Sequence, residues 1–267
     1  LALNIVGKKN SLHKIESIFT FVNLHDAILI KKIKFKDHIV SFSGNFSKGI
    51  SKNNTISGLL KILDKKKLLN NQKFEIKIKK QIPIKAGLGG GSMNAASVLK
   101  FFIKKKIIKT SKKEIIKISQ LIGSDVILGL NQKSAILTSK NQIQCFNNIK
   151  KFYTLIVKPN FGCSTKDIYL NVKKFNKIKL NKPKKKMFDF KYLKIMSNDL
   201  ETIAFSKYPK LKKIKLYLEN SLNPVFVRMT GSGSALVAYF QSKKRCARAK
   251  KRFNKEYKNY WCIAQKL

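Results

Sequence analysis

A glycine-rich segment at residues 86–92 strongly limits the folds open to this chain. It separates a segment in which apolar and charged residues alternate from one in which apolar residues recur at helical spacing. Upstream, Phe74, Ile76 and Ile78 alternate with charged residues, which predicts a strand with one buried face. Downstream, the apolar residues at positions 95, 96, 98, 99, 102 and 103 recur at helical spacing. The sequence therefore predicts a strand, a glycine loop and a helix in succession.

Gly87, Gly89, Gly90 and Gly91 make this loop a candidate anion site. Glycine adopts backbone conformations that other residues avoid, and it lets a ligand approach the main chain closely. We expect Ser92 to cap the following helix, whose first N–H groups and positive dipole end favour an anion. The loop lacks the Lys-Ser or Lys-Thr of a Walker loop and is not a dinucleotide-binding motif. A flexible turn without a ligand is the alternative.

A second glycine cluster, residues 230–234, joins two apolar segments that are expected to be strands. Alone it is equally consistent with a simple hairpin. Two loops rich in glycine and hydroxyl groups, in separate domains, together favour a phosphate-bearing ligand held in a cleft between them.

Phosphoryl transfer to an alcohol also needs a group that receives the hydroxyl proton, commonly a carboxylate. Acidic residues number only 13, and Asp125 is the one that precedes an apolar run directly after a predicted helix end at Gly123. That helix is expected to begin at Ser111, which has Glu114 three residues later in a capping-box pattern. Asp125 could equally cap the next helix, a role compatible with catalysis. His13 remains open as a core, surface or ligand-binding residue.

The composition is strongly basic, with 58 lysines and arginines against 13 acidic residues and a net charge of +45. Such a charge suggests a nucleic-acid or membrane partner. All but four of the basic residues are lysine, however, and they are spread from Lys8 to Lys266. Bidentate recognition of bases and phosphates favours arginine. A lysine-biased background composition and a functional polyanion-binding surface both remain open, and the first is favoured.

Cysteine and hydropathy patterns argue against other classes. The four cysteines show no C-x-x-C spacing and lie mostly far from the three histidines, so no zinc site is expected. No uncharged apolar run approaches membrane-spanning length, and no leader is recognisable, which predicts a cytoplasmic protein. The chain begins at Leu1 without methionine, and we expect an upstream segment to be missing.

A polar, aperiodic stretch between about residues 140 and 152 predicts a domain boundary, giving domains 1–150 and 151–267. After it the order of predicted elements, with helices collapsed, is β-α-β-β-α-β, which is a ferredoxin-like order. The lysine-dense stretch from Lys173 to Lys191 is predicted to be a mobile surface loop.

Residues 83–96 resemble the phosphate loop of the GHMP small-molecule kinases, P-x-x-x-G-L-G-x-G-S-S-x-A-A, with Met93 in place of the second serine. Residues 1–17, 197–201 and 228–233 resemble motifs of one branch of that superfamily. This branch phosphorylates the 2-hydroxyl of a cytidine diphosphate ester of 2-C-methyl-D-erythritol in the non-mevalonate isoprenoid pathway. The resemblance implies an α+β fold with an N-terminal ribosomal protein S5 domain 2-like domain and a C-terminal ferredoxin-like domain.

The resemblance also implies roles for individual residues. Asp125 would be the catalytic carboxylate. ATP, with Mg²⁺, would be bound by Pro83, Ala86, Gly87, Leu88, Gly89, Gly90, Gly91 and Ser92, with Asn54 near the nucleotide and Lys80 a weaker candidate. The cytidine diphosphate ester would be bound by His13, which hydrogen-bonds the cytosine, by Tyr169, which stacks on it, by Thr165, and by Gly231, Ser232 and Gly233, which close the cleft. No dedicated protein metal site, nucleic-acid partner or membrane partner is implied, and we expect a monomer or weak homodimer.

Three departures from the family pattern stand out. The family has a lysine, paired with the catalytic aspartate, just before the segment that begins here at Leu1. Leu12 occupies the position of a tyrosine that contacts the cytosine, and Ile127 replaces a common proline. The alternatives are another GHMP kinase, of the homoserine or mevalonate type, and a basic nucleic-acid-binding protein.

Overall fold

A computed structural model describes residues 1–10 and 12–267. Its strands are β1 (Ala2–Lys9), β2 (Leu12–Phe19), β3 (Ala27–Ile33), β4 (Ile39–Ser43), β5 (Lys73–Lys79), β6 (Ser134–Leu137), β7 (Ile143–Phe146), β8 (Tyr153–Lys158), β9 (Phe226–Met229), β10 (Leu236–Phe240) and β11 (Trp261–Lys266). Its α-helices are α1 (Thr55–Lys65), α2 (Gly90–Lys104), α3 (Lys112–Ile122), α4 (Val126–Asn131), α5 (Thr165–Leu170), α6 (Phe190–Ile195), α7 (Leu200–Lys207), α8 (Pro209–Leu222) and α9 (Lys243–Glu256).

The chain divides into two compact units that are not continuous in sequence. The first unit comprises Leu1–Asn23, Lys85–Leu88 and Lys133–Leu267, and the second comprises Leu24–Ile84 and Gly89–Gln132. The first unit gathers the N-terminal strands because β2 pairs with β6. These units differ from the predicted domains 1–150 and 151–267, which stay a prediction about domain organisation.

In the second unit, β3, β5 and β4 form a sheet in that order, with β5 antiparallel to β3 and parallel to β4. Phe74, Ile76 and Ile78 on β5 are buried, as their alternation predicted. They join the apolar faces of α1 and α2 in one core. The strand, glycine loop and helix predicted from the sequence are therefore confirmed as β5, the connecting segment and α2.

Helix α3 also follows its sequence signals. The Ser111 hydroxyl accepts a hydrogen bond from the Glu114 N–H at 3.2 Å, and the helix ends at Gly123. The Glu114 carboxylate pairs with Lys66 at 2.6 Å instead of returning to the Ser111 N–H. The predicted boundaries are confirmed, while the capping box is only half formed.

The first unit contains two antiparallel sheets, with strand orders β1-β2-β6-β7 and β11-β8-β10-β9. The second sheet is built from β8, β9, β10 and β11, with helices between β8 and β9 and α9 between β10 and β11. This is the predicted β-α-β-β-α-β order. The α+β class expected from the sequence is thus confirmed.

The lysine-dense stretch 173–191 begins as the surface loop that was predicted, because residues 173–184 form neither helix nor strand and residues 173–179 are exposed. Leu180 and Phe188 are buried in a core of the first unit. The buried Glu16 carboxylate on β2 accepts the N–H groups of Lys179 at 2.8 Å and Leu180 at 3.1 Å. The predicted surface loop is therefore confirmed for this part of the stretch, although backbone hydrogen bonds and a few buried apolar residues anchor it, and its mobility stays a prediction.

No helix in the described ranges combines the length and the apolar character that are needed to cross a bilayer.

Candidate active site

The start of α2 lacks a side-chain cap. Gly89 occupies the N-cap position in a left-handed conformation (φ 68°), and no side chain within the described ranges caps this helix. Ser92 lies in the first helical turn, so the prediction that it caps α2 is wrong. Glycine adopts this conformation without strain. The first-turn N–H groups, which have no intrahelical partners, can therefore serve an anion.

Asp125 stands at the start of α4 without capping it. It occupies the N-cap position of α4, and its side chain makes no capping hydrogen bond among the residues that the structure describes. The Ser124 hydroxyl donates to its Oδ1 at 3.3 Å. The side chain keeps a solvent-exposed surface, yet the surrounding protein desolvates its carboxyl and raises the pKa, an effect that the Ser124 hydrogen bond partly offsets. A carboxyl with a raised pKa suits proton transfer.

Close packing brings the residues on either side of Asp125 to α2. A Cβ on Gly123 would lie 3.9 Å from the Ser92 hydroxyl oxygen. A Cβ on Gly129 of α4 would lie 2.6 Å from the Ala96 Cβ of α2 and 3.0 Å from the Met93 sulfur. The absence of a side chain at Gly129 thus lets α4 approach α2, and Met93 fills the space beside it.

The two predicted glycine loops meet within the first unit. The Thr230 hydroxyl donates to the Gly87 carbonyl at 2.8 Å, and the Ala235 N–H donates to the Ala86 carbonyl at 3.1 Å. A Cβ on Gly87, whose φ is 68°, would collide with the Thr230 carbonyl. The second glycine cluster therefore does more than connect β9 to β10, since it also holds residues 85–88.

Asn54 is the N-cap of α1. Its side-chain oxygen accepts the N–H groups of Ile56 at 3.0 Å and Ser57 at 3.1 Å, and the Ser57 hydroxyl accepts the Asn54 N–H at 2.9 Å. The neighbouring Thr55 hydroxyl donates to the Gly91 carbonyl at 2.9 Å. Asn54 therefore shapes the turn next to the first turn of α2, while its predicted proximity to the nucleotide stays a prediction.

The Lys80 ammonium, proposed from the sequence as a weak nucleotide ligand, is buried against the Asp26 carboxylate. Sequence reasoning missed Asp26, which lies 54 positions upstream and has no local motif. Pro83, which follows two residues after the Asp26-bound Gln81, is buried as well.

Candidate substrate-binding residues converge in the first unit. The ring of His13 on β2 lies 5.2 Å from that of Tyr169 on α5, measured between centroids. The Thr165 and Ser232 hydroxyl oxygens lie 2.7 Å apart. Burial, and to a lesser degree Lys8, lowers the pKa of His13, which favours a neutral ring near pH 7. A neutral imidazole can both donate and accept a hydrogen bond.

Phe175 is a further aromatic residue that sequence reasoning missed. Its ring centroid lies 6.4 Å from that of His13, and 48% of the residue is exposed. Leu12, next to His13, is 76% exposed. His13 is thus flanked by two aromatic rings from the segment after β8, although Leu12, the residue directly before it, is not aromatic.

The residues near Asp125 fit a magnesium ion that arrives with a nucleotide. Within the described ranges, no group of three or more His, Cys, Asp or Glu side chains could hold a metal ion. Magnesium is usually bound through one or two carboxylates together with substrate phosphates and water. The Ser92 hydroxyl in the first turn of α2 provides one oxygen donor, and the phosphates and water would supply the others.

Comparisons with known proteins give the family and the fold of this chain. Residues 54–137 match the GHMP kinases N terminal domain. The chain is 58% identical over 266 residues to a 4-diphosphocytidyl-2-C-methyl-D-erythritol kinase of Pelagibacter ubique, covering 100% of this chain and 95% of that protein. A crystal structure of 4-(cytidine 5'-diphospho)-2C-methyl-D-erythritol kinase superposes with a TM-score of 0.76 at 19% identity, covering 99% of this chain and 95% of that one.

A homoserine kinase structure from Cytophaga hutchinsonii shares the fold with a TM-score of 0.63 at 15% identity, covering 90% of this chain and 85% of that one. The 58% identical relative, together with the matched N-terminal domain, defines a small-molecule kinase of the GHMP class, and the fold is consistent with it. Within that class, the chain belongs to the 4-diphosphocytidyl-2-C-methyl-D-erythritol kinase family. Kinases of this class take their phosphoryl group from ATP. The predicted use of ATP is therefore confirmed at the level of the family.

Proposed function

We propose that this chain transfers the γ-phosphoryl group of ATP to the 2-hydroxyl of 4-diphosphocytidyl-2-C-methyl-D-erythritol, with magnesium, in isoprenoid precursor biosynthesis. The observation that carries the proposal is the uncapped start of α2 beside a carboxylate with a raised pKa, in a chain of this family. Nucleic acid has no part in the proposal, because the basic residues are spread along the whole chain.

Residues 85–92 are proposed to bind the ATP phosphates. The N–H groups in the first turn of α2 offer donors and the positive end of the helix dipole. The Thr230 hydroxyl donates to the Gly87 carbonyl at 2.8 Å, which holds the Gly87 backbone in place at one end of this segment. Lys80 is left out of the direct contacts because Asp26 already binds its ammonium.

Asp125 is proposed to receive the proton of the substrate hydroxyl. As the hydroxyl oxygen bonds to the γ-phosphorus, the bond from that phosphorus to the β–γ bridging oxygen breaks and ADP leaves. The hydroxyl proton passes to an Asp125 carboxylate oxygen. A carboxyl whose pKa is raised by desolvation is a better proton acceptor than an ordinary aspartate.

The first unit is proposed to supply recognition of the cytosine. The neutral His13 ring can donate one hydrogen bond and accept another, which matches the mixed donors and acceptors of the base. Tyr169 supplies an aromatic face against which the base can stack. Thr165 and Ser232 add two hydroxyl groups within 2.7 Å of each other.

The test is a competition assay of ATP-dependent phosphorylation with the cytidylyl substrate, homoserine, mevalonate and galactose. We expect turnover of the cytidylyl substrate and at most trace turnover of the others. Preferential turnover of another alcohol would reject the assignment and favour a different GHMP kinase.

A variant sharpens the role of His13. His13→Phe keeps an aromatic ring beside Tyr169 but removes both ring nitrogens, and we expect KM for the cytidylyl substrate to rise about tenfold. KM for ATP should not change. His38→Phe is the matched control, since the His38 ring accepts the Phe74 N–H in the core of the second unit. Equal effects of the two variants on KM would remove His13 from base recognition.

A further inference from the structure

Asp26 in the second unit is a buried carboxylate with four hydrogen-bond donors. Its side chain accepts from the Lys80 ammonium, from the backbone N–H groups of Gln81 at 2.7 Å and Ile82 at 2.9 Å, and from the Asn94 side chain at 2.8 Å. No solvent reaches the carboxylate. Burying a charge is costly unless hydrogen bonds and an opposite charge compensate, and here both are present.

The four donors lie on both sides of the glycine loop. Lys80, Gln81 and Ile82 directly follow β5 and lie shortly before the loop, whereas Asn94 belongs to the second turn of α2. The Lys80 nitrogen lies 3.5 Å from the position that a Cβ on Gly90 would take. The carboxylate thus joins the two ends of the loop and keeps an ammonium beside the first turn of α2.

The charge of Asp26 is maintained by these partners. Burial alone would raise the pKa of its carboxyl, but the hydrogen bonds from Lys80, Ile82, Gln81 and Asn94 together hold the pKa below its ordinary value. The carboxyl is therefore ionised at neutral pH. One oxygen accepts the two backbone N–H groups, and the other accepts Lys80 and Asn94.

We propose that Asp26 is a positioning residue for the phosphate loop. By binding both ends of the loop at once, it sets their separation and fixes the first turn of α2 in the orientation that receives the ATP phosphates. The proposal rests on the proposed function, since it assumes that ATP binds at this loop.

The test measures equilibrium binding of ATP with magnesium in the absence of the second substrate, together with thermal unfolding. In Asp26→Asn the shape is kept and an oxygen remains for the two backbone N–H groups. The new amide nitrogen, however, faces two donors, the Lys80 ammonium and the Asn94 amide. We expect about tenfold weaker ATP binding from the loss of these charge-assisted bonds.

Asp64→Asn is the matched control. Asp64 also pairs with a lysine, Lys73 at 2.6 Å, and with His38 at 3.2 Å, at the C-terminal end of α1 in the same unit. It should lower stability while leaving ATP binding within about twofold of the original chain. If both variants weakened ATP binding equally at the same loss of Tm, Asp26 would be only a structural residue.

An exchange variant separates positioning from stability. In Asp26→Asn combined with Asn94→Asp, the amide at position 26 can donate to a carboxylate at position 94, so the link between β5 and α2 is restored with its polarity reversed. We expect ATP binding to recover most of the tenfold loss. Recovery of Tm without recovery of ATP binding would overturn the proposal.

Three further outcomes are decisive. If Asp26→Asn does not fold, Asn94→Ala removes only the link to α2, and unchanged ATP binding in that variant would overturn the proposal. A chain that binds ATP but phosphorylates no cytidylyl substrate would reject the proposed function and leave the comparison of variants valid. A chain that binds no ATP would reject both.

Discussion

Two helices of the second unit, α1 and α2, begin in opposite ways. At α1, Asn54 and Ser57 form a complete capping box in which each side chain accepts the other's backbone N–H. At α2, the N-cap is a left-handed glycine, and no side chain in the described part of the chain caps the helix. Both helices pack on the same core, so burial does not explain the difference.

The difference separates groups that stabilise the fold from groups that are available to a ligand. A complete cap stabilises a helix by about 1 kcal/mol, and α2 lacks this contribution. The start of α4 resembles that of α2, because Asp125 occupies its N-cap position without capping it. Unused hydrogen-bonding capacity at neighbouring helix starts is therefore the signature of the candidate site.

The largest expected effect is that of Asp125→Asn. An amide cannot take the hydroxyl proton, so kcat should fall about 10² to 10⁴-fold in a steady-state assay. Thermal unfolding should show equal or greater stability, because desolvation disfavours the ionised carboxyl in the folded chain. A variant with the original rate would contradict the role given to Asp125.

The pH dependence of kcat should report the same carboxyl. As pH falls through the raised pKa of Asp125, the carboxyl is protonated, and kcat should fall about tenfold per pH unit. The ionised carboxyl of Asp125 lowers the stability of the fold, whereas that of Asp26 raises it. Ionisation of Asp125 costs stability as pH rises from its unfolded pKa to its folded pKa, whereas the stability from Asp26 is lost as pH falls through its lowered pKa. An acid limb of kcat at the pH of an ordinary aspartate would contradict this prediction.

Two serines test the comparison directly. Ser92→Ala removes a hydroxyl from the first turn of α2, and ATP binding should weaken about tenfold with little change in Tm. Ser57→Ala breaks the capping box of α1 and should cost about 1 kcal/mol of unfolding free energy with ATP binding unchanged. Calorimetry and ATP titration of both variants check the pair, and interchanged effects would refute the distinction between the two helix starts.

Asn54 gives the smallest expected effect. Asn54→Ala should lower the free energy of unfolding by about 1 kcal/mol, and Asn54→Ser should recover it because serine is also a good N-cap. We expect Asn54→Ser to keep near-original ATP binding, since the amide is already hydrogen-bonded within its own turn. Weakened ATP binding at full stability would instead show that the amide contacts the nucleotide.

Much of the fold could be predicted because its signals are local. The alternation at Phe74, Ile76 and Ile78 located β5, and Ser111 and Gly123 marked the ends of α3. The order of strands and helices after residue 152 was enough to predict the ferredoxin-like sheet. The cap at Ser92 was predicted wrongly, because a glycine preceding it can take the left-handed N-cap conformation instead.

The parts that could not be predicted depend on contacts between distant residues. Glu16 binds the backbone of Lys179 and Leu180, which turns a lysine-rich stretch into an anchored segment. Phe175 comes near His13 only through that anchored segment. A hydrogen bond between residues so far apart leaves no periodicity or spacing in the sequence.

The amino-acid sequence by itself determined the class of protein. The glycine loop and the family motifs are short local patterns, and the small number of carboxylates singled out Asp125. Only the tertiary structure decided which polar groups are already satisfied. Asp26 and Asp125 are both aspartates of the second unit, yet burial with four donors lowers the pKa of the first, and desolvation with one weak donor raises that of the second. That distinction depends on the surroundings of each carboxyl, which only the folded chain supplies.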